Sequence, residues 1–267
     1  MTNTLNEFSE INNLAASFES AGETVKIETS LPPDTEVILP GGFILADGSL
    51  VKYAEIRELN GADEEALAKA TSPGKALRVI LSRGLVKIGD ELVKPKDLDE
   101  LLAGDQEAIL IGIRKATFGN NLDFSGVCPN CSNPQSFVVD IANDIEMVSL
   151  DDPFNDRVFS IDAKIGKVTL ALPNGITTKK LTEAEAESKS FAELVTIMLS
   201  GCIVSVNGTP SMGISTALSL GISDRELLVN EIYKRAPGPR LGGVTKTCKA
   251  CDSEISLALG LADLFRL

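Results

Sequence analysis

No histidine occurs anywhere in the 267 residues of this chain. That removes the usual general base, the Ser–His and Cys–His nucleophilic pairs, and the commonest ligand of a catalytic zinc. A glycine-rich phosphate loop of the P-loop or dinucleotide type is also missing. Gly41-Gly42 and Gly242-Gly243 are bare doublets in turn contexts. Carboxylates abound, yet none stands in a paired spacing that sets it apart from a solvated face. No apolar run approaches the roughly 18 residues that a membrane span requires. The N-terminus carries no charged-then-apolar signal segment, so the chain is expected to stay in the cytoplasm of the producing cell. These absences point away from an enzyme.

The apolar content of 43% is ordinary for a folded protein, and the length suits roughly two domains. A net charge of −13 repels phosphate backbones, so nucleic acid is not an expected partner. One stretch runs against that sign. From Ile232 to Cys251 there is no acidic residue, but there are Lys234, Arg235, Arg240, Lys246 and Lys249. Two readings stand: a counter-charge for an anionic metal–thiolate centre, or a dock for an acidic partner protein.

Two Cys-x-x-Cys knuckles carry the most specific chemistry, Cys128-Pro129-Asn130-Cys131 and Cys248-Lys249-Ala250-Cys251. Neither alone completes a tetrahedral thiolate site, whereas together they supply four sulfurs, as a structural zinc requires. The expectation is one Zn2+ held by Cys128, Cys131, Cys248 and Cys251. A Cys-Pro-x-Cys run also suits a dithiol–disulfide oxidoreductase, since one thiolate attacks while the other resolves. Two copies fit metal binding better, because a dithiol enzyme needs one. Cys202 lies in an apolar run and reads as a buried thiol.

The knuckles sit at matching places in a repeated pattern. Val79 to Asp90 aligns with Ile197 to Gly208, and Gly104 to Leu110 with Ser223 to Val229. Past the knuckles, Ser136 to Ile141 matches Glu254 to Leu259. The expected architecture is α+β: two pseudo-symmetric lobes from an internal duplication, joined by the four-cysteine site as in a zinc ribbon. Its parts are an N-terminal amphipathic helical arm (1–22), a first repeat (23–143), an acidic linker (144–156) and a second repeat (157–267).

Within the arm, Leu5, Phe8, Ile11, Ala15 and Phe18 recur at helical spacing, giving a stripe that covers either the protein's own body or a neighbouring subunit. Strands are expected at Val25 to Thr29, at Thr35 to Leu39 before a Pro40-Gly41-Gly42 turn, and in a hairpin around Asp47-Gly48. The second half is expected to echo this with strands at Val168 to Leu172 and Ile176 to Lys180 about a Pro173-Asn174-Gly175 turn. Ser72-Pro73 opens a helix, and Gly104 opens another that stops at Gly119. A capping box at Ser223 and Glu226 is expected to start the helix that runs to Arg235.

The order of Leu39-Pro40-Gly41-Gly42, Ile56 to Glu65, Leu101 to Asp105, Ile113 to Gly119 and the Cys128 knuckle resembles the T-even-type bacteriophage baseplate protein family. The resemblance implies a non-enzymatic protein linked to the baseplate hub of phage tails, with other tail and baseplate proteins as partners. It implies a place in the virion, with assembly in the host cytoplasm. It leaves open whether the chain is a structural hub component or an assembly chaperone that departs before maturation. Candidate contact surfaces are the N-terminal helix, through Leu5, Phe8, Ile11 and Phe18, and the basic residues Lys234, Arg235 and Arg240.

Overall fold

The computed structural model describes residues 35–257 and 259–265. The expected N-terminal helix and the strand at Val25 to Thr29 lie outside the described residues.

Helix and sheet are mixed throughout, in agreement with an α+β protein. β1 (Glu36–Ile44) and β2 (Leu50–Ile56) form an antiparallel hairpin closed at Asp47-Gly48, where Asp47 accepts from the backbone and hydroxyl of Ser49. The Pro40-Gly41-Gly42 segment is not a turn between strands. It is an irregularity inside β1, where the register with β2 shifts between Ile38 and Phe43. Gly41 is needed there, because a Cβ would stand 2.6 Å from Leu102 and 2.7 Å from an Asp105 oxygen. Asn60 then caps α1 (Gly61–Leu67), and Ser72 caps α2 (Pro73–Gly84), with Pro73 in its first turn. β3 (Leu85–Ile88) and β4 (Glu91–Leu92) complete a sheet of order β1-β2-β3-β4. α3 (Pro95–Glu100) follows, and then α4 (Ala103–Phe118).

α4 is buried on several faces. Gly104, Asp105, Ala108, Ile109, Leu110, Ile111, Ile113 and Arg114 are all shielded from solvent. Gly119, at φ 80°, ends it as expected. After the first knuckle hairpin, β5 (Asn121–Val127) with β6 (Pro134–Asp140), come α5 (Ile141–Asp144) and the short β7 (Met147–Val148). Along the acidic stretch 144–156, Leu150 is buried and its N–H donates to the Pro40 carbonyl at 2.9 Å.

The second half opens on a hairpin of β8 (Val158–Ala163) with β9 (Gly166–Ala171): β9 is the strand expected from Val168, and its partner β8 was not expected. Its turn contains no Asn-Gly or Asp-Gly pair; Gly166 supplies the positive φ of 120°. Ile176 to Lys180 is helical, contrary to expectation, as part of α6 (Gly175–Ala186). The β-branched run Ile176-Thr177-Thr178 signals a strand, but the Asn174 side chain accepts the Thr177 N–H and fixes a helix start. α7 (Phe191–Cys202) begins at a capping box of Ser190 and Glu193. β10 (Ile203–Val206) and β11 (Thr209–Pro210) close a sheet of order β11-β10-β9-β8. α8 (Ile214–Ser219) and α9 (Ile222–Arg235) follow. No capping box forms at Ser223: the N-cap is Gly221, Ser223 lies inside the first turn, and Asp224 turns inward to accept from Lys164 and Ile165 N–H groups. The chain ends its described course with β12 (Gly238–Pro239), a 3-10 turn (Leu241–Gly243), β13 (Thr245–Thr247), β14 (Glu254–Ser256) and α10 (Leu261–Phe265).

Three large apolar clusters and a small one of Leu102, Leu150 and Leu172 hold this arrangement. One fills the first sheet and α4, around Ile56, Ile80, Ile109 and Ile113. Another fills the second, around Leu170, Leu199 and Leu228. The third is built by both halves: Leu122, Phe137 and Val139 from the first knuckle hairpin pack with Val244, Ile255, Leu257 and Leu264 from the second. β7 pairs with β12, and an added Cβ at Gly104 would fall 1.8 Å from the Pro237 carbonyl. The two halves are pressed together at backbone contact.

Candidate metal centre

Each knuckle is the tip of a two-stranded hairpin, and the two tips are built alike. β5 runs into Cys128, whose N–H donates to the Asn133 carbonyl at 3.0 Å, while Ser132 N–H donates to the Cys128 carbonyl at 2.9 Å. β13 runs into Cys248, whose N–H donates to Ser253 at 2.8 Å, while Asp252 N–H donates back to Cys248 at 3.0 Å. Ser132 and Asp252 take left-handed backbone at φ 58° and 56°, which reverses the chain and turns both sulfurs of each knuckle to one side.

The shared apolar cluster sets the tips face to face. The four Sγ atoms of Cys128, Cys131, Cys248 and Cys251 all lie within 4.8 Å of one another. Cys128 Sγ is 3.7 Å from Cys251 Sγ, and Cys131 Sγ is 3.7 Å from Cys248 Sγ. A tetrahedron with metal–sulfur bonds of about 2.3 Å has edges of about 3.8 Å. The sulfurs are therefore spaced to share one ion. Cys202 is excluded from this group; it is fully buried in the apolar cluster around Leu170, Leu199 and Leu228, and burial pushes its thiol up to about 12.

Side chains beyond the cysteines complete the site, each reaching across the knuckle boundary. Gln135 donates from Nε2 to Cys248 Sγ at 3.1 Å and accepts the Lys249 N–H through Oε1. Ser253 Oγ lies 3.3 Å from Cys128 Sγ and 3.1 Å from Cys251 Sγ, and Asn130 Nδ2 points at Cys251 Sγ. Hydrogen bonds of this kind favour thiolate and orient the ligand. Sequence reading had missed Gln135 and Ser253; their position just past each knuckle is the signal that was available.

Two of the thiols, Cys251 and Cys131, are pushed in opposite directions. Ser253, through its hydroxyl and then its backbone N–H, holds Cys251 down to about 6. Cys131 has an Asn133 N–H favouring its thiolate, yet bonds to the neighbouring sulfurs of Cys251, Cys128 and Cys248 push it up to about 12. Four negative sulfurs this close repel one another, and a dication removes the conflict.

The basic stretch is largely engaged within the protein. Lys234 and Arg235 both pair with Glu231, and Arg235 also lies over Phe159. Arg240 donates to the Ala236 carbonyl at 2.7 Å and sits over Tyr233, while Lys246 pairs with Asp144 at 2.5 Å. Among the described residues, no helix is long and apolar enough to cross a membrane.

Comparison with protein families places residues 49–265 on the model for the T4 bacteriophage base plate protein, and the chain belongs to that family. No curated protein and no solved structure matches it. The family makes the chain a phage protein whose expected place is the tail and whose expected partners are other phage proteins.

Proposed function

We propose that this protein is a non-enzymatic structural component of the phage tail baseplate, in its hub region, and that one Zn2+ bound by Cys128, Cys131, Cys248 and Cys251 clasps its halves together. The observation that carries the reading is the gathering of four sulfurs, two from each half, to tetrahedral spacing. The ion's chemistry there is structural: it neutralises thiolates and ties two distant segments, and with four protein ligands it keeps no open position for a substrate.

The halves are proposed to descend from one ancestral unit, each an α+β repeat ending in a knuckle, with 1–22 as an arm and 144–156 as the join. The recurrence of a hairpin, capped helices, a second hairpin, a short and a long helix, then a knuckle supports this. Lys234, Arg235 and Arg240 remain proposed contacts for other tail proteins. Mass spectrometry of purified particles tests the placement. The chain is expected at a few copies per tail; absence from finished particles would instead make it an assembly chaperone.

A further inference from the structure

Among the described residues, the repeat leaves a surface that is covered in one half and bare in the other. Matching positions are fixed by matching contacts. Gln106 on α4 donates to the Leu98 carbonyl of α3 at 2.7 Å, and Arg225 on α9 donates to the Ala217 carbonyl of α8 at 2.9 Å. Asn60 and Asn174 cap their helices with nearly the same backbone, φ −123° and ψ −179° against φ −122° and ψ −174°. The residues entering α4 and α9, Leu102 and Gly221, likewise share φ near −62° and ψ of 150°.

In the first half, the face made by α2, α3 and the start of α4 is covered by Pro173 to Ala186 of the second. Ala103 N–H donates to the Pro173 carbonyl at 2.9 Å, and Gly175 N–H to the Leu101 carbonyl at 2.9 Å. Gly175 must be glycine, since a Cβ there would stand 1.9 Å from the Leu98 carbonyl. In the second half, the same face, on α7, α8 and the start of α9, meets no such segment among the described residues. It presents Phe191, Leu218 and Ile222, which are 80%, 65% and 78% exposed. Arg225 draws them together, because it also donates to the Ala192 carbonyl and the Thr196 hydroxyl.

Among the described residues, the complementary end is bare as well. Gly61 occupies the place of Gly175, yet a Cβ there would meet nothing within 4 Å, and its backbone needs no positive φ. Glycine at a helix start lowers helix propensity, and nothing among the described residues requires it here. A close approach by another backbone would require it, as it does at Gly175. Two further differences fit such an approach. α1 has 7 residues where α6 has 12, leaving room for the larger Leu218 and Ile222 in place of Asp99 and Ala103. Arg225 replaces Gln106, opposite the position where the exposed Glu64 of α1 replaces Thr178.

We propose that the second lobe of one copy receives the Asn60-to-Leu67 segment of the next, so that copies associate head to tail through the contact the chain already makes internally. A heterologous contact of this kind closes into a ring when its rotation allows and otherwise runs on as an open assembly. The inference rests on the repeat reading and not on the metal.

Sedimentation of the full chain over a concentration series tests it, with Leu218→Glu/Ile222→Glu altering one face and Gly61→Trp the other. Wild type is expected to exceed the monomer mass as concentration rises, and each variant to stay monomeric. An equimolar mixture of the two variants is expected to form a one-to-one dimer, because one intact copy of each face survives. A wild type that stays monomeric throughout, variants that associate like wild type, or a mixture that stays monomeric would each overturn the proposal. Metal content measured on the same samples separates this result from the zinc reading.

Discussion

Asp105 and Asp63 show how differently this fold treats two buried carboxyls. Asp105 accepts the Gly41 N–H at 2.6 Å through one oxygen, and its other oxygen has no hydrogen-bond partner. Burial pushes it up to about 7, against the pull of the Gly41 N–H and of Arg157. A carboxyl raised in the folded state contributes stability below its unfolded value near 4 and loses it as pH rises through about 7. Asp105→Asn, which retains the acceptor for Gly41, is therefore expected to flatten the loss of thermal stability between pH 5 and pH 8; an unchanged profile would contradict the assignment. Asp63 is the opposite case. The Arg57 hydrogen bond, aided by the Asn60 N–H and Arg83, holds it down to about 2. Its contribution is present above the unfolded value and fades as pH falls from about 4 toward 2. Asp63→Asn is expected to cost about 1–3 kcal/mol at pH 7, read from urea midpoints, and little at pH 2.

Among the helices and strands, α6 is where the halves lock. Gly175→Ala places a methyl against the Leu98 carbonyl and is expected to cost about 1–3 kcal/mol. Gly61→Ala, at the position proposed to match it and with no described neighbour within 4 Å, is expected to be neutral or slightly stabilising in the isolated monomer. Equal effects of the two substitutions on monomer stability would undo this distinction. The same region shows how far sequence alone reaches. Hairpins with a local cause were legible: Asp47-Gly48 supplies its own turn, and Ser72-Pro73 its own helix start. The knuckles were legible because spacing fixes their chemistry. What escaped was set by tertiary context. Ile176 to Lys180 has strand-forming residues but follows a capping asparagine, and Thr177 is buried against Gly201. Pro40-Gly41-Gly42 has turn composition, yet Asp105 and Arg157 hold its backbone inside a strand. Ser223 has the spacing of a cap, but with Asp224 buried behind it the cap falls two residues earlier, at Gly221.

For the assembled protein, the zinc reading makes the third apolar cluster and the metal mutually dependent. The cluster sets the knuckles face to face, and the ion prevents four close thiolates from forcing them apart. Chelation is expected to lower the unfolding temperature and loosen the knuckle hairpins first, while the two sheet cores, which contain no ligand, resist longer. Hydrogen exchange followed by mass spectrometry reads that order; uniform loss of protection across both sheets would count against it. The most direct test is metal analysis combined with native mass spectrometry of the full chain. One zinc per chain, lost in Cys128→Ser/Cys248→Ser, is the predicted result. No bound metal, or one ion bridging two chains, would contradict the clasp.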